Sequence, residues 1–321
     1  MNTTTTHLAF ALLVCLLSSC NAEGDRDGNI LPEGKYPLTF TASVDATVET
    51  RATSDNTWSA GDRIAVRAGG DGEKEVKMYI CDADGLFTVA SGDPFYWESK
   101  TENKVIDAWY YGDGSTFPEE LPTELLWTVQ TDQSGNGFQK SDFLHTGPVN
   151  IYFNAVYNTL QFKHRVVRVV INIMKSEYLQ TAEDIVSVTI GRNDNIGLSH
   201  TYTPASKPNQ GDSYSSGGLG TPKGTIIPKD ITSSSADDNI LKIYTALLTT
   251  QALRNTELFG VELKNGEVYY YKPEKEDLRP GNTYIYNVSI KAGRIDVVAL
   301  DEAGGTWGPE DGVIEDITSS N

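Results

Sequence analysis

Side chains that could carry out chemistry are few in this sequence and lie far apart. The four histidines are His7, His145, His164 and His200, and none lies at metal-ligand spacing from another. The sequence has no HExxH or CxxC pattern, no G-x-S-x-G turn and no phosphate-binding G-x-x-x-x-G-K-[ST] loop. Asp82–Gly85 resembles the start of a calcium loop but lacks the later ligands, so it predicts a β-turn. We therefore expect no catalytic residue, no metal site and no cofactor, and the protein is predicted not to be an enzyme.

One thiol follows a pattern that predicts covalent modification. Residues 8–17 form an apolar run too short to span a bilayer, which is typical of the central region of a secretory signal peptide. The segment Leu17-Ser18-Ser19-Cys20 then resembles the lipobox of bacterial lipoproteins, in which the chain is cut before the cysteine and the thiol is acylated. The resemblance implies a signal peptide over residues 1–19, a lipid on Cys20 and a lipidated tether over 20–35. An ordinary secretory signal with a chance cysteine is the alternative.

Composition excludes several classes of partner. The 321 residues carry 26 Lys and Arg against 44 Asp and Glu, a formal net charge of -18. Such a chain lacks the clustered basic residues that bind nucleic acid or an anionic membrane surface. A hydrophobic content of 39% is too high for a disordered chain, and the length predicts about two domains. Beyond Cys20 the chain has only Cys81, so we expect no disulfide framework and a buried structural thiol.

Alternation of apolar and polar residues predicts β-strands along most of the chain. The clearest case is 36–44, where Tyr36, Leu38, Phe40, Ala42 and Val44 share one face. The other strand-like runs are Arg63–Ala68, Val76–Cys81, Lys104–Tyr111, Leu125–Thr131, Leu160–His164, Val167–Ile173, Ile185–Ile190, Ile240–Leu248, Leu258–Leu263, Glu267–Tyr271, Tyr284–Ile290 and Ile295–Leu300. Many short strands with glycine-rich turns predict an all-β fold of antiparallel sandwiches, one over 36–160 and one over 161–321.

Two further features of the second half have structural interpretations. His164 lies in the strand-like run that we take as the start of the second sandwich, and we expect it to be a structural histidine with its hydrogen bonds satisfied. Residues 193–224 are rich in Ser, Gly, Pro and Asn and predict a long loop without secondary structure. That loop is either a surface insertion or a binding loop.

Three motifs in order behind the lipobox resemble the fimbrillin family of Bacteroidales, the subunits of type V pili. They are Thr50-Arg51-Ala52-Thr53 with the following Trp58–Val66 segment, Leu160–His164 with the valines after it, and Leu278–Ile290 with Ile295–Val297 and Trp307. The resemblance covers most of the mature chain but not 193–224. It implies two transthyretin-like β-sandwich domains in tandem, exported as a lipoprotein to the cell outer membrane and exposed there as part of a fimbrium.

The resemblance also implies assembly by strand exchange. In fimbrillins an Arg-specific protease cuts the loop after the first strand, and the vacated groove accepts a strand from another subunit. Here the matching bond is Arg51–Ala52, and the displaced strand would carry Tyr36, Leu38, Phe40, Ala42 and Val44. The partners implied are other fimbrillin subunits and the outer membrane, through the lipid anchor, with a host or bacterial surface ligand for adhesion.

The C-terminal segment departs from the family pattern. Stalk subunits need a donor strand, usually ascribed to this segment, but the apolar residues Val313, Ile314 and Ile317 do not alternate. A tip or accessory subunit, which accepts a donor strand but need not supply one, fits at least as well. The alternative from another class is a surface lipoprotein that binds host or dietary glycan through solvent-facing aromatic rings, for which Trp97, Trp109 and Trp127 are the candidates.

Overall fold

Strands dominate the structure. The computed structural model describes residues 30–34, 36–44, 58–69, 75–112, 124–153, 158–208, 210–216, 222–233 and 237–300. Within these ranges, helix is confined to α1 (Gly137–Lys140) and a 3-10 turn at Ala182–Asp184. The prediction of an all-β chain is confirmed. No helix of the described ranges is long and apolar enough to cross a membrane.

The first sheet closes on itself. The strands of the first half are β1 (Phe40–Val44), β2 (Arg63–Ala68), β3 (Val76–Cys81), β4 (Leu86–Val89), β5 (Asn103–Tyr111), β6 (Leu125–Thr128), β7 (Phe143–His145), β8 (Val149–Tyr152) and β9 (Thr159–His164). All of them except β6 form one sheet in the order β2-β3-β4-β1-β9-β7-β5-β8, in which β5 also pairs with β2. The strands from β2 to β5 therefore form a closed ring, whose inward side chains build one hydrophobic core.

The second half forms several smaller sheets around a second core. Its strands are β10 (Val167–Met174), β11 (Ile185–Ile190), β12 (Ile196–Gly197), β13 (Ser199–Thr203), β14 (Ser213–Ser216), β15 (Lys223–Gly224), β16 (Lys229–Asp230), β17 (Ile240–Leu248), β18 (Gln251–Leu253), β19 (Phe259–Leu263), β20 (Val268–Tyr271), β21 (Glu276–Leu278), β22 (Thr283–Lys291) and β23 (Arg294–Leu300). One sheet has the order β16-β17-β10-β22-β23 and another the order β11-β19-β20. Apolar side chains of both contribute to the second core.

The two cores share a wall. Along β5, Ile106, Ala108 and Tyr110 point into the ring, because successive residues of a strand face opposite sides. Asp107 and Trp109 point outward and are nevertheless fully buried, at 1% and 0% exposure. Their burial means that the second half covers the outer face of this part of the ring.

Residues 193–224 do not form the structureless loop that their composition predicts. β13 pairs with β14 on one side and with β6 of the first half on the other. His200 and Tyr202 point inward from β13 and are buried. The sequence hides this strand because Ser and Thr alternate with inward rings that also carry polar groups. The loop prediction is therefore wrong for the described part of this stretch.

The predicted domain boundary at residue 160 falls inside β9. β9 pairs with β1 and β7 of the ring, whereas β10 pairs with β17 and β22 of the second half. His164, placed at sequence level in the second sandwich, thus belongs to the first sheet. Only Arg165 and Val166 separate the two strands. Because apolar residues continue through both strands without a turn residue, the sequence gives no signal for this change of sheet.

A turn between β21 and β22 packs against the segment where the chain passes from β9 to β10. Gly281 has a φ of +72°, and a Cβ atom there would lie 3.2 Å from the carbonyl oxygen of His164. The Tyr284 hydroxyl donates a hydrogen bond to the carbonyl of Asp277 at 2.7 Å and accepts one from the N–H of Arg279 at 2.9 Å. These contacts give the Leu278–Ile290 motif a structural role.

Candidate functional site: strand β1 and its groove

β1 is the strand that completes the ring. It pairs antiparallel with β4, where Phe40 lies opposite Phe87. On its other side it pairs parallel with β9, in a register that runs from Thr41 opposite Thr159 to Val44 opposite Phe162. Within the described sheet, β1 is thus the one link between β4 and β9. Without it, both neighbours would present unpaired backbone edges.

The inward side chains of this segment fill the ring core. Leu38, Phe40 and Val44 are exposed by only 0%, 2% and 3%, whereas Ala42 is half-buried and Tyr36 is exposed. The regular strand begins at Phe40, four residues later than the alternation suggests. Residues 36–38 pair instead with 95–97, in an isolated bridge at Pro37, which has no N–H to donate to a ladder.

Aromatic rings line the groove that β1 occupies. The ring of Phe40 lies 5.1 Å from Tyr79 and 5.9 Å from Phe87, between centroids. Trp58 packs edge-on against Phe87 and Phe162 at 5.3 and 5.1 Å. Burial raises the pKa of Tyr79 to about 12, so its hydroxyl stays protonated at neutral pH. The groove would remain an apolar surface if β1 left it.

Polar contacts set the register of β1 against β9. The Thr41 N–H donates to the Asn158 carbonyl at 3.1 Å, and the hydroxyls of Thr41 and Thr159 lie 2.9 Å apart. The Asn158 side chain in turn brackets Tyr152, donating to its carbonyl at 2.9 Å and accepting from its N–H at 3.3 Å. A strand of different sequence could form the backbone pairing with β9 equally well, whereas the hydroxyl contact depends on the side chain of Thr41.

The residues predicted to be modified lie outside the described ranges. These are Cys20, Arg51 and Ala52. In the sequence, Arg51 lies between Val44 and Trp58, which are both buried in the ring core. Sequence reasoning missed Leu31, which it placed in the tether but which is buried against the ring. Its only signal is an isolated Ile-Leu pair before a proline.

The other reactive side chains have structural partners. His164 Nδ1 lies 2.8 Å from Asp142 Oδ1, in keeping with a satisfied structural histidine. Burial raises the pKa of the Cys81 thiol to about 11, with a smaller effect of Asp62 and Asp82, so it is protonated at neutral pH. Asp82 accepts hydrogen bonds from two backbone N–H groups of a tight turn. Among the described residues no cluster of three metal-ligating side chains occurs.

The three tryptophans that we considered as a glycan-binding platform are buried or half-buried. Trp97 and Trp109 are 5% and 0% exposed. Trp127 is half-buried, stacks on Phe143 at 5.2 Å and donates its indole N–H to the Ser141 carbonyl at 2.9 Å. Their interpretation as sugar-stacking surfaces is therefore wrong, because the rings are used in packing.

A buried polar network lies on the outer face of the shared wall. Asp107 accepts a hydrogen bond from Arg67 Nη2 at 2.8 Å, and its other oxygen lies 2.5 Å from His145 Nε2. His145 Nδ1 contacts the hydroxyl of Tyr202, which belongs to the second half. Burial raises the pKa of Tyr202, so the hydroxyl stays protonated. This network ties β2, β5 and β7 of the ring to β13.

His200, on β13, makes the free energy of unfolding of the protein depend on pH. It is fully buried, and burial lowers its pKa to about 4 from an unfolded value of about 6.5. Between these values the unfolded chain binds a proton that the folded chain excludes, so stability falls as the pH falls through that window. We expect His200 to contribute a loss of about 3 kcal/mol by pH 4. Urea denaturation of wild type and His200→Gln across pH 4–7 would measure it. Carboxylates titrate in both proteins, so equal pH slopes would contradict this expectation.

Comparison with known proteins gives the family. Residues 50–303 match the model of the fimbrillin-like family. No curated protein matches the chain. Crystal structures of candidate cell adhesion proteins from Bacteroides uniformis ATCC 8492 and Bacteroides ovatus ATCC 8483 are similar, with TM-scores of 0.54 and 0.56 and 16% identity each. The aligned parts cover 86% and 83% of this chain and 98% and 96% of those chains. At such identities the structural similarity concerns the fold alone, whereas the family match spans most of the sequence, and the chain belongs to the fimbrillin-like family.

Proposed function

We propose that this protein is a pilus subunit that joins its neighbours by exchanging strand β1 for a strand of another fimbrillin subunit. The observation that carries the proposal is the position of β1, which alone closes the described ring between β4 and β9 and buries Leu38, Phe40 and Val44. Membership of the fimbrillin-like family supports a structural role at the cell surface rather than an enzymatic one.

The proposed trigger is a cut after Arg51. Arg51 follows β1 in a polar stretch of the sequence, and the cut would break the only covalent tie between β1 and the rest of the ring. Burial of each large apolar side chain is worth about 1.5–3 kcal/mol, so the cut strand leaves slowly unless a donor displaces it. An open groove with two unpaired edges then favours binding of a new strand.

We further propose that the chain occupies the tip or an accessory position of the pilus. Its C-terminal residues 308–321 include Val313, Ile314 and Ile317 but lack the alternation of a good donor strand. A subunit at the tip accepts a strand without donating one and is available to bind a host or bacterial surface ligand. The lipid on Cys20 would hold the precursor at the outer membrane until processing.

An Arg51→Ala variant tests the trigger. We expect it to fold and to remain a lipidated monomer that does not enter pili, whereas Thr50→Ala, in the same stretch, behaves as wild type. Incorporation is measured by immunoblotting sheared pili. Mass spectrometry of the N-terminal fragment of wild type should give a peptide that starts at Cys20 with acyl chains and ends at Arg51. If the Arg51→Ala variant enters pili as efficiently as wild type, the processing model fails; an unmodified fragment that starts elsewhere rejects the lipid anchor.

A further inference from the structure

The chain ahead of β1 makes a second contact with the ring, separate from the groove. The N–H of Leu31 donates to the Glu98 carbonyl at 2.9 Å, and isolated bridges join Ile30 to Ser99 and Pro37 to Tyr96. Closer to β1, Leu38 N–H donates to the Phe95 carbonyl at 2.6 Å. Residues 30–31 and 36–38 therefore run antiparallel to residues 95–99 before the chain enters the groove.

This second contact has its own buried anchor and aromatic floor. Leu31 is 4% exposed and belongs to the same core as Trp97. Trp97 and Tyr36 each pack edge-on against Phe153, at 5.9 and 5.7 Å between ring centroids. Lys104 Nζ lies 5.9 Å from the centre of the Trp97 ring. Loss of residues 30–38 would uncover Trp97 and Phe153 together with the backbone edge of 95–99.

We propose that the incoming partner strand fills both contacts, and not the β1 groove alone. This inference rests on the strand exchange proposed above, since it concerns the surface that the same cleavage would vacate. A segment as short as β1 would leave Trp97, Phe153 and the 95–99 edge in water. The partner is thus an extended segment of another protein chain with the length of residues 30–44.

The buried positions define the chemistry of that segment. It needs an aliphatic residue in place of Leu31, a second in place of Leu38, an aromatic ring in place of Phe40 and a β-branched residue in place of Val44. The stretch 32–34, between the bridges at Ile30 and Pro37, is exposed and turns at Gly34, where φ is +71° and a Cβ atom would meet nothing within 4 Å. Polar residues of many kinds fit there.

The pattern also identifies which sequence does not fit. Residues 308–321 of this chain contain no aromatic residue and have two acidic pairs, Glu310-Asp311 and Glu315-Asp316, around their apolar positions. Neither feature matches a site that requires a buried ring between aliphatic residues. A segment of different sequence, from another subunit, is therefore the partner that the surface accepts.

Peptide binding to the processed protein tests the two-part surface. Wild type is digested briefly with an arginine-specific protease, and the N-terminal fragment is then removed in sub-denaturing urea. The Arg51→Ala variant is digested in parallel to reveal cuts at other arginines. Fluorescein-labelled peptides of residues 30–44 and 38–44 are then compared by fluorescence anisotropy. We expect the longer peptide to bind about tenfold more tightly or better, because it adds the Leu31 contact.

Variant peptides give matched controls without any risk to the fold of the protein. Leu31→Ser in the 30–44 peptide should lose most of the gain, whereas Glu33→Ala, in the exposed turn, should retain it. Equal affinities of the 30–44 and 38–44 peptides would overturn the two-part surface and leave strand exchange intact. Failure of both peptides to bind a stripped, folded protein would overturn the proposed function itself.

Discussion

Replacement of Phe40 with alanine in the uncut protein is expected to lower the free energy of unfolding by about 3–5 kcal/mol. The ring of Phe40 is 2% exposed and packs against Tyr79 and Phe87, and Phe40 is the first residue of the strand that closes the first sheet. Its removal leaves a cavity between aromatic side chains that belong to other strands and cannot collapse fully. Chemical denaturation followed by tryptophan fluorescence would measure the change.

Ser43→Ala is the matched control for this variant. Ser43 lies on the same strand but points away from the core, so its loss should change stability by no more than about 0.5 kcal/mol. In protein cut after Arg51, the Phe40→Ala strand should also dissociate faster, by roughly a hundredfold for 3 kcal/mol. A loss below about 1 kcal/mol for Phe40→Ala would mean that β1 contributes little to the ring, and it would remove the basis for slow exchange.

Most strands could be predicted from the sequence because their alternation is a local property. The predicted runs at Arg63–Ala68, Val76–Cys81, Ile185–Ile190 and Ile240–Leu248 coincide with β2, β3, β11 and β17. Each has β-branched or aromatic residues on a buried face and turn residues at its ends. Residues 36–39 were predicted to belong to the first strand but lie outside β1, because Pro37 cannot extend a hydrogen-bonded ladder.

The arrangement of the site could not be predicted, because it depends on pairings between distant residues. The parallel pairing of β1 with β9 joins residues more than a hundred positions apart, for example Thr41 and Thr159. No local pattern distinguishes a strand that closes a ring from one at an edge. The burial of Leu31 depends equally on the distant Trp97, and no neighbouring residue distinguishes Leu31 from the residues of a tether.

The polar network at the shared wall was also invisible in the sequence. Arg67, Asp107 and His145 lie on three different strands, and Tyr202 lies in the stretch that composition assigned to a loop. Sequence reasoning therefore separated two halves that the structure joins. β5 contributes to the ring core on one face and to this network on the other, so a change at Asp107 tests how far the ring depends on the second half.

Asp107→Ala is expected to destabilise the protein by about 3–5 kcal/mol, because it leaves the partners of a buried carboxylate without their acceptor. Asp107 is 1% exposed and accepts from Arg67 at 2.8 Å, with His145 at 2.5 Å on its other oxygen. Arg67 has a side-chain exposure of only 12%, so solvent cannot fully replace the lost charge. Guanidinium denaturation monitored by both circular dichroism and tryptophan fluorescence would measure the loss.

Asp296→Ala provides the matched control. Asp296 lies on β23 and, like Asp107, pairs with two basic side chains, Lys291 and Arg294, but it lies at the surface. We expect no measurable change there, because exposed ion pairs are screened by water and salt. If the shared wall couples the two halves, Asp107→Ala should also separate the two probes into distinct transitions, since the ring and the second half would then unfold independently. A single transition with a loss no larger than that of Asp296→Ala would show that apolar packing around Trp109 alone holds the halves together.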